Sequence, residues 1–181
     1  MKKIYFTSDL HLNHSNIIKF CNRPFKNVEH MNEEIIKRWN NKVNPEDIVY
    51  HIGDFSFKVR SYTNPWEDRL NGTIIHIKGN HDKNNGVKTL ITSCLMEFGG
   101  LVFYVKHIPP IEYQSGTLEE KIVNNCDFVL CGHVHNYWKW KKNWLNKICI
   151  NVGCDVWGYE PIDINSILKL IARINKGLEN D

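Results

Sequence analysis

Short apolar runs, each closed by a small polar cluster, recur along the chain. Ile4 to Thr7 reads as a buried strand that ends at Asp9-Leu10-His11. Ile48 to Ile52 ends at Gly53-Asp54, and Thr73 to Lys78 at Gly79-Asn80-His81-Asp82. Leu101 to Lys106 ends at His107, and Asp127 to Cys131 at Gly132-His133-Val134-His135; Ile148 to Val152 is a further strand. Helical patterns alternate with these runs. Val28 to Lys42 carries Met31, Ile35 and Trp39 at four-residue spacing, with Pro45 just beyond. Pro65 to Leu70 and Leu118 to Asn125 predict short helices. Asp163 predicts the N-cap of a last helix through Ile174, with Ile167, Leu170, Ile171 and Ile174 on one face. Alternating strands and helices predict an α/β chain. In open α/β sheets ligands gather at the carboxyl ends of strands, which is where nearly every polar cluster falls.

Those clusters contribute Asp9, His11, Asp54, Asn80, His81, His107, His133 and His135. The set mixes carboxylate, amide oxygen and imidazole and contains no thiolate. It suits Mn, Fe, Zn, Ni or Co better than a thiolate zinc site or an all-oxygen calcium cage. It is too large for one tetrahedral ion and suits two divalent metal ions that share a carboxylate. Two ions roughly 3.5–4 Å apart can hold both the attacking and the departing oxygen of an in-line displacement, and a water shared between them is acidic enough to be hydroxide near neutral pH. Phosphoester hydrolysis is the natural chemistry of such a site.

These blocks resemble the calcineurin-like metallophosphoesterases. Asp9-Leu10-His11, Gly53-Asp54, Gly79-Asn80-His81-Asp82, His107 and Gly132-His133-Val134-His135 match that family's five motifs in order and spacing, with Lys106 where the family usually has glycine and Pro109-Pro110 following. Asn151-Val152-Gly153-Cys154-Asp155 with Pro161-Ile162 is similar to the small bacterial and phage-type members. The resemblance implies two mixed β-sheets packed face to face and flanked by helices, a four-layer αββα sandwich. It implies Asp9, His11 and His135 on one metal, Asn80, His107 and His133 on the other, and Asp54 bridging, with manganese the favoured ion. It implies that His81 contacts the scissile phosphate and protonates the leaving oxygen, and that Asp82 orients His81.

Composition narrows the rest. With 181 residues the chain is expected to be one domain, 1–181. A net charge of +3 leaves nucleic acid open as a partner without favouring it. No apolar run approaches the ~20 residues of a membrane span, and the basic start runs directly into Asp9, so a cytoplasmic protein is expected. Six cysteines without a Cys-x-x-Cys pair predict reduced, buried thiols. His51 and His76 lie inside strand runs and are expected to be structural.

Three further residues are candidate substrate contacts. Asn13 and His14 directly follow the first motif, although Asn13 or Ser15 would equally serve as a helix N-cap. Arg23 has a fork suited to phosphate, although Arg23-Pro24 also reads as an exposed turn. Tyr137-Trp138-Lys139-Trp140-Lys141-Lys142-Asn143-Trp144 is read as a twisted hairpin, with Trp138, Trp140 and Trp144 covering the core and the lysines in water; the rival reading is a base-stacking surface. The favoured function is a phosphodiesterase acting on a nucleotide or another small phosphodiester. The alternatives are a phosphomonoesterase or protein phosphatase, and a non-catalytic metal-bound scaffold.

Overall fold

The computed structural model describes residues 2–59, 64–83, 85–89, 91–112 and 115–179. Two mixed sheets form the centre. The first has the order β3-β2-β1-β9, built from β1 (Ile4–Thr7), β2 (Ile48–Ile52), β3 (Thr73–Ile77) and β9 (Ile162–Asp163). Its first three strands are parallel and β9 runs antiparallel to β1. The second sheet has the order β4-β5-β6-β8-β7, from β4 (Ser93–Phe98), β5 (Leu101–Lys106), β6 (Phe128–Cys131), β7 (Trp140–Lys142) and β8 (Ile148–Asn151).

Strand alternation sorts the side chains into layers. Phe6, Ile52 and Ile77 of the first sheet pack with Phe103, Val105, Leu130 and Ile150 of the second in one core between the sheets. On the outer face of the first sheet, Tyr5 and Val49 meet Met31, Ile35 and Trp39 of α2 (Val28–Lys42) and Ile17 of α1 (Ser15–Phe20). On the outer face of the second, Tyr104, Val129 and Cys149 meet Val123 of α3 (Leu118–Asn124). The result is the αββα order. Helix α4 (Ile164–Asn175) places Ile167, Leu170, Ile171 and Ile174 in the inter-sheet core, and Asp163 caps it by accepting from Ser166 N at 3.1 Å.

Several local expectations change. The stretch from Pro65 shrinks to a 3-10 turn, Glu67–Arg69, because Leu70 must turn extended to lead into β3. Strand β4 is additional: Gly99 and Gly100, both at positive φ, make the two-residue turn that pairs it with β5. Helix α1 is capped by His14 without a side-chain hydrogen bond, and not by Asn13 or Ser15. Asn13 instead donates its side-chain amide to Phe57 O at 3.3 Å. The aromatic stretch does form the hairpin strand β7: Trp140 is buried between the sheets, Trp138 packs on the outer cluster, and Lys139, Lys141 and Lys142 are exposed. All six cysteines are free, and five are buried. Among the described residues no helix is long and apolar enough to cross a membrane.

Candidate metal centre

The loops after β1, β2, β3, β5 and β6 converge at one edge of the two sheets. They are stitched to one another by backbone: Asp9 N donates to Gly53 O and His11 N to Asp54 O, both at 3.0 Å, and Gly132 N donates to His107 O at 2.9 Å. The approach is close enough to demand glycine. A Cβ on Gly79 would lie 2.2 Å from Asp54 Oδ1, and one on Gly132 would lie 2.5 Å from Asp9 Oδ2. Asp9, His11, Asp54, His133 and His135 all hold positive φ, between 47° and 71°. This conformation is uncommon for residues with a Cβ and clusters at functional sites.

Among the described residues three groups of potential ligand atoms lie within 4.8 Å of one another: Asp9, His11 and His135; Asp54, His107 and His133; and Cys21, His135 and Asp155, which shares His135 with the first and lies behind it. Asn80 joins the second group, its Oδ1 being 2.9 Å from both His107 Nε2 and His133 Nδ1. Asp54 joins the first two groups. Its Oδ2 lies 3.5 Å from His11 Nε2 and 3.3 Å from His107 Nε2.

Contacts behind the ligands set which atoms face the centre. His107 Nδ1 donates to Ile52 O at 2.7 Å, which turns Nε2 inward. Asp155 Oδ2 holds His135 Nδ1 at 3.2 Å. Asp9 accepts from Ser8 Oγ at 2.6 Å and from His133 N at 2.9 Å. Asn151 donates to the carbonyls of His135 and Trp138, both at 2.8 Å, and so anchors the loop that carries His135. The part played by Ser8, and the hold of Asn151 on the His135 loop, emerge only in three dimensions. Asp155 was visible in the block around Asn151, but nothing in its spacing pointed to His135.

The residues present fit divalent ions. His11 Nε2 is fully buried without a hydrogen-bond partner, which is costly for a polar atom unless a cation takes its lone pair. Burial pushes the His11 imidazole down to about 3, so it is neutral and available as a ligand. Burial also opposes charge on Asp54, but the hydrogen bond to His107 and the neighbouring imidazoles outweigh it and hold this carboxyl below its usual range. On His107 burial is outweighed by the Asp54 hydrogen bond and the Asp9 charge, which raise it to about 9. On His135 burial is outweighed chiefly by Asp155, and the imidazole rises to about 10.

A metal held by His107 and His135 would therefore have to displace protons from them. Because both values are raised, the metal-free protein holds these protons at pH 7, and metal affinity increases as pH rises toward 9–10. Calorimetry in buffers of different ionisation enthalpy should record about two protons released per chain on metal loading at pH 7. Release of none would contradict this reading of His107 and His135.

Two expected roles are corrected. Arg23 does not face a substrate. It is 4% exposed and every part of its fork is occupied: Nε and Nη2 bind Asp155 at 2.8 and 2.9 Å, Nη2 also donates to Asp9 O at 2.7 Å, and Nη1 donates to Leu10 O at 2.8 Å. It braces the backbone of the first motif and neutralises buried Asp155. Arg23→Ala would remove the guanidinium that binds both oxygens of Asp155, leaving that carboxylate only His135, and would take the Nη donors from the Leu10 and Asp9 carbonyls; breaking this buried pair should cost about 3 kcal/mol, and a melting temperature equal to wild type would refute this.

Asp82 likewise does not orient His81. Its Oδ2 accepts from Asp54 N and Gly79 N, both at 2.8 Å, and its Oδ1 from Phe55 N at 3.1 Å and Asn85 Nδ2 at 2.7 Å. The carboxylate pins the β2 loop to the β3 loop and has no bond to the His81 ring. His81 itself is exposed. Its backbone N–H donates to Asp54 Oδ1 at 2.9 Å, and its ring centre is 5.7 Å from that of His11.

Asn13 and His14 lie beside the centre in different ways. Asn13 is exposed on its loop. His14 stacks on Phe57 at 4.2 Å and lines a cavity of about 260 Å³ with His11, His81 and His135. A second cavity, of about 290 Å³, opens on the other group's side, beside Lys78, Asn80, Lys106 and His107. His51 and His76 lie under the first sheet's helical layer, with rings 5.6 Å apart, and His76 is 3.1 Å from Glu67.

Fold, motif order and convergence of the ligand loops define one class: the chain belongs to the calcineurin-like phosphoesterase superfamily, whose domain model matches residues 2–160. Over 177 residues it is 39% identical to the uncharacterized protein MJ1445 of Methanocaldococcus jannaschii, covering 96% of this chain and 93% of that protein. It is 23% identical to the Gene 66 protein of Mycobacterium phage L5, covering 97% of each. The crystal structure of a protein of unknown function, AQ665 of Aquifex aeolicus, superposes with a TM-score of 0.71 at 26% identity, over 94% of this chain and 100% of that one.

Proposed function

We propose that this protein is a metal-dependent phosphodiesterase that hydrolyses a nucleotide or another small phosphodiester at a two-metal centre. The observation that carries the reading is the position of Asp54. One carboxylate oxygen lies within 3.5 Å of an Nε2 from each of the two ligand groups, as a bridge between neighbouring cations requires. Asp9, His11 and His135 would hold one ion and Asn80, His107 and His133 the other. The mixed nitrogen and oxygen set suits Mn, Fe, Zn, Ni or Co, and among these the family resemblance favours manganese. When bound, the ions supply neutralisation of phosphate charge and acidification of water.

The remaining work falls to the chain. His81 is exposed beside His11 and is free of side-chain hydrogen bonds among the described residues, so it is available to protonate the departing oxygen. Asp82 keeps the two central loops in register. A cavity on each side of the ligand cluster gives room for both substituents of a diester, which favours a diester over a monoester.

The test is hydrolysis of bis-p-nitrophenyl phosphate and p-nitrophenyl phosphate by the manganese-reconstituted chain. The diester should be cleaved faster. Preference for the monoester would favour a phosphomonoesterase, and turnover of neither, with metal bound, would favour a scaffold.

A further inference from the structure

The cavity beside His11, His81 and His135 has an unusual far wall. Phe20 and Tyr137 line it, yet they are 74% and 85% exposed, among the most exposed large hydrophobic side chains of the described residues. A single exposed aromatic needs no explanation. Two on one cavity that opens at a metal-competent centre do. They are also held as a unit: Asn136 Nδ2 donates to Cys21 O at 3.1 Å, tying the loop that carries Tyr137 to the end of α1 that carries Phe20. Ile17, buried, also lines the cavity. Trp138 and Trp140, which follow Tyr137 in sequence, take no part, since Trp140 lies in the core and Trp138 packs on the second sheet.

From this wall we infer that the cavity binds the planar base of a nucleotide whose phosphate sits at the metal centre, with Phe20 and Tyr137 as stacking surfaces. The inference rests on the proposed phosphoester chemistry of the adjoining site. Its physical basis is that every base has a π-face and stacks on exposed aromatic rings without regard to sequence. Volume agrees: about 260 Å³ is just below the usual range of pockets for drug-sized ligands and leaves room for one base. The opposite cavity carries Lys78 and Lys106 and, among the described residues, no phenylalanine, tyrosine or tryptophan, so it suits the anionic or sugar portion of the substrate.

The test is calorimetric binding of adenosine 5′-monophosphate and ribose 5-phosphate to the manganese-loaded full chain. Ribose 5-phosphate reports the phosphate end alone. Wild type should bind the nucleotide more tightly by roughly 5–150-fold, the range that stacking of one base spans. The double variant Phe20→Ala, Tyr137→Ala should lose most of that ratio, and Tyr137→Trp should keep or increase it. Both sites are exposed, and an unchanged melting temperature would certify the fold. Equal affinities in wild type, no nucleotide binding at millimolar concentration, or a ratio that survives the double substitution would each overturn the inference. A chain inactive on bis-p-nitrophenyl phosphate that still prefers the nucleotide would strike the proposed hydrolysis and leave the base site standing.

Discussion

Asp54→Asn should lose at least one metal and about 10³-fold or more in kcat/KM, the several kcal/mol that a paired metal centre contributes. The aspartate Oδ2 is the atom between His11 Nε2 and His107 Nε2. An amide removes the negative charge that offsets two adjacent cations. The fold should survive, because asparagine retains a carbonyl oxygen for His81 N, and Asp54 N still donates to Asp82. Elemental analysis and turnover should therefore fall together in a chain that still folds, although the metal-free protein loses the buried Asp54–His107 pair and should melt lower. Two metals per chain in an active Asp54→Asn protein would sink the bridge.

His81→Ala should behave in the opposite way toward metal. The contact of this residue with Asp54 runs through its backbone N–H, which alanine keeps, so both ions should remain. Loss of a general acid should cost roughly 10²–10⁴ in rate. The loss should be smallest for p-nitrophenolate, which departs without a proton, and largest for alkoxide leaving groups. An equal loss for good and poor leaving groups would assign His81 to phosphate binding instead.

The ligand loops were legible in sequence because each metal-competent cluster follows an apolar run, and strand ends are where such sheets gather function. Most element boundaries followed for the same reason: β1, β2, β5 and α2 occupy the expected residues. What could not be read depended on partners far away in the chain. Arg23 beside Pro24 has the pattern of an exposed turn, but its acceptor Asp155 lies 132 residues on. Asp82 follows His81 directly, yet its oxygens are taken by backbone N–H groups of the β2 and β3 loops, which no side-chain pattern reveals. Strand β9 is two residues long, too short to show a period. In the aromatic stretch, alternation placed Trp140 inward correctly, whereas Tyr137 faces the site because it lies in the turn before β7, where alternation does not apply.

The central claim is a centre of two ions held by Asp9, His11, His135, Asp54, Asn80, His107 and His133. Its most direct test is a titration of the chelator-stripped chain with manganese, reading bound metal and bis-p-nitrophenyl phosphate turnover in the same samples. The account predicts two tightly bound ions per chain, with turnover that reaches its plateau only as the second is filled. A plateau at one ion per chain, or turnover independent of added metal, would contradict it.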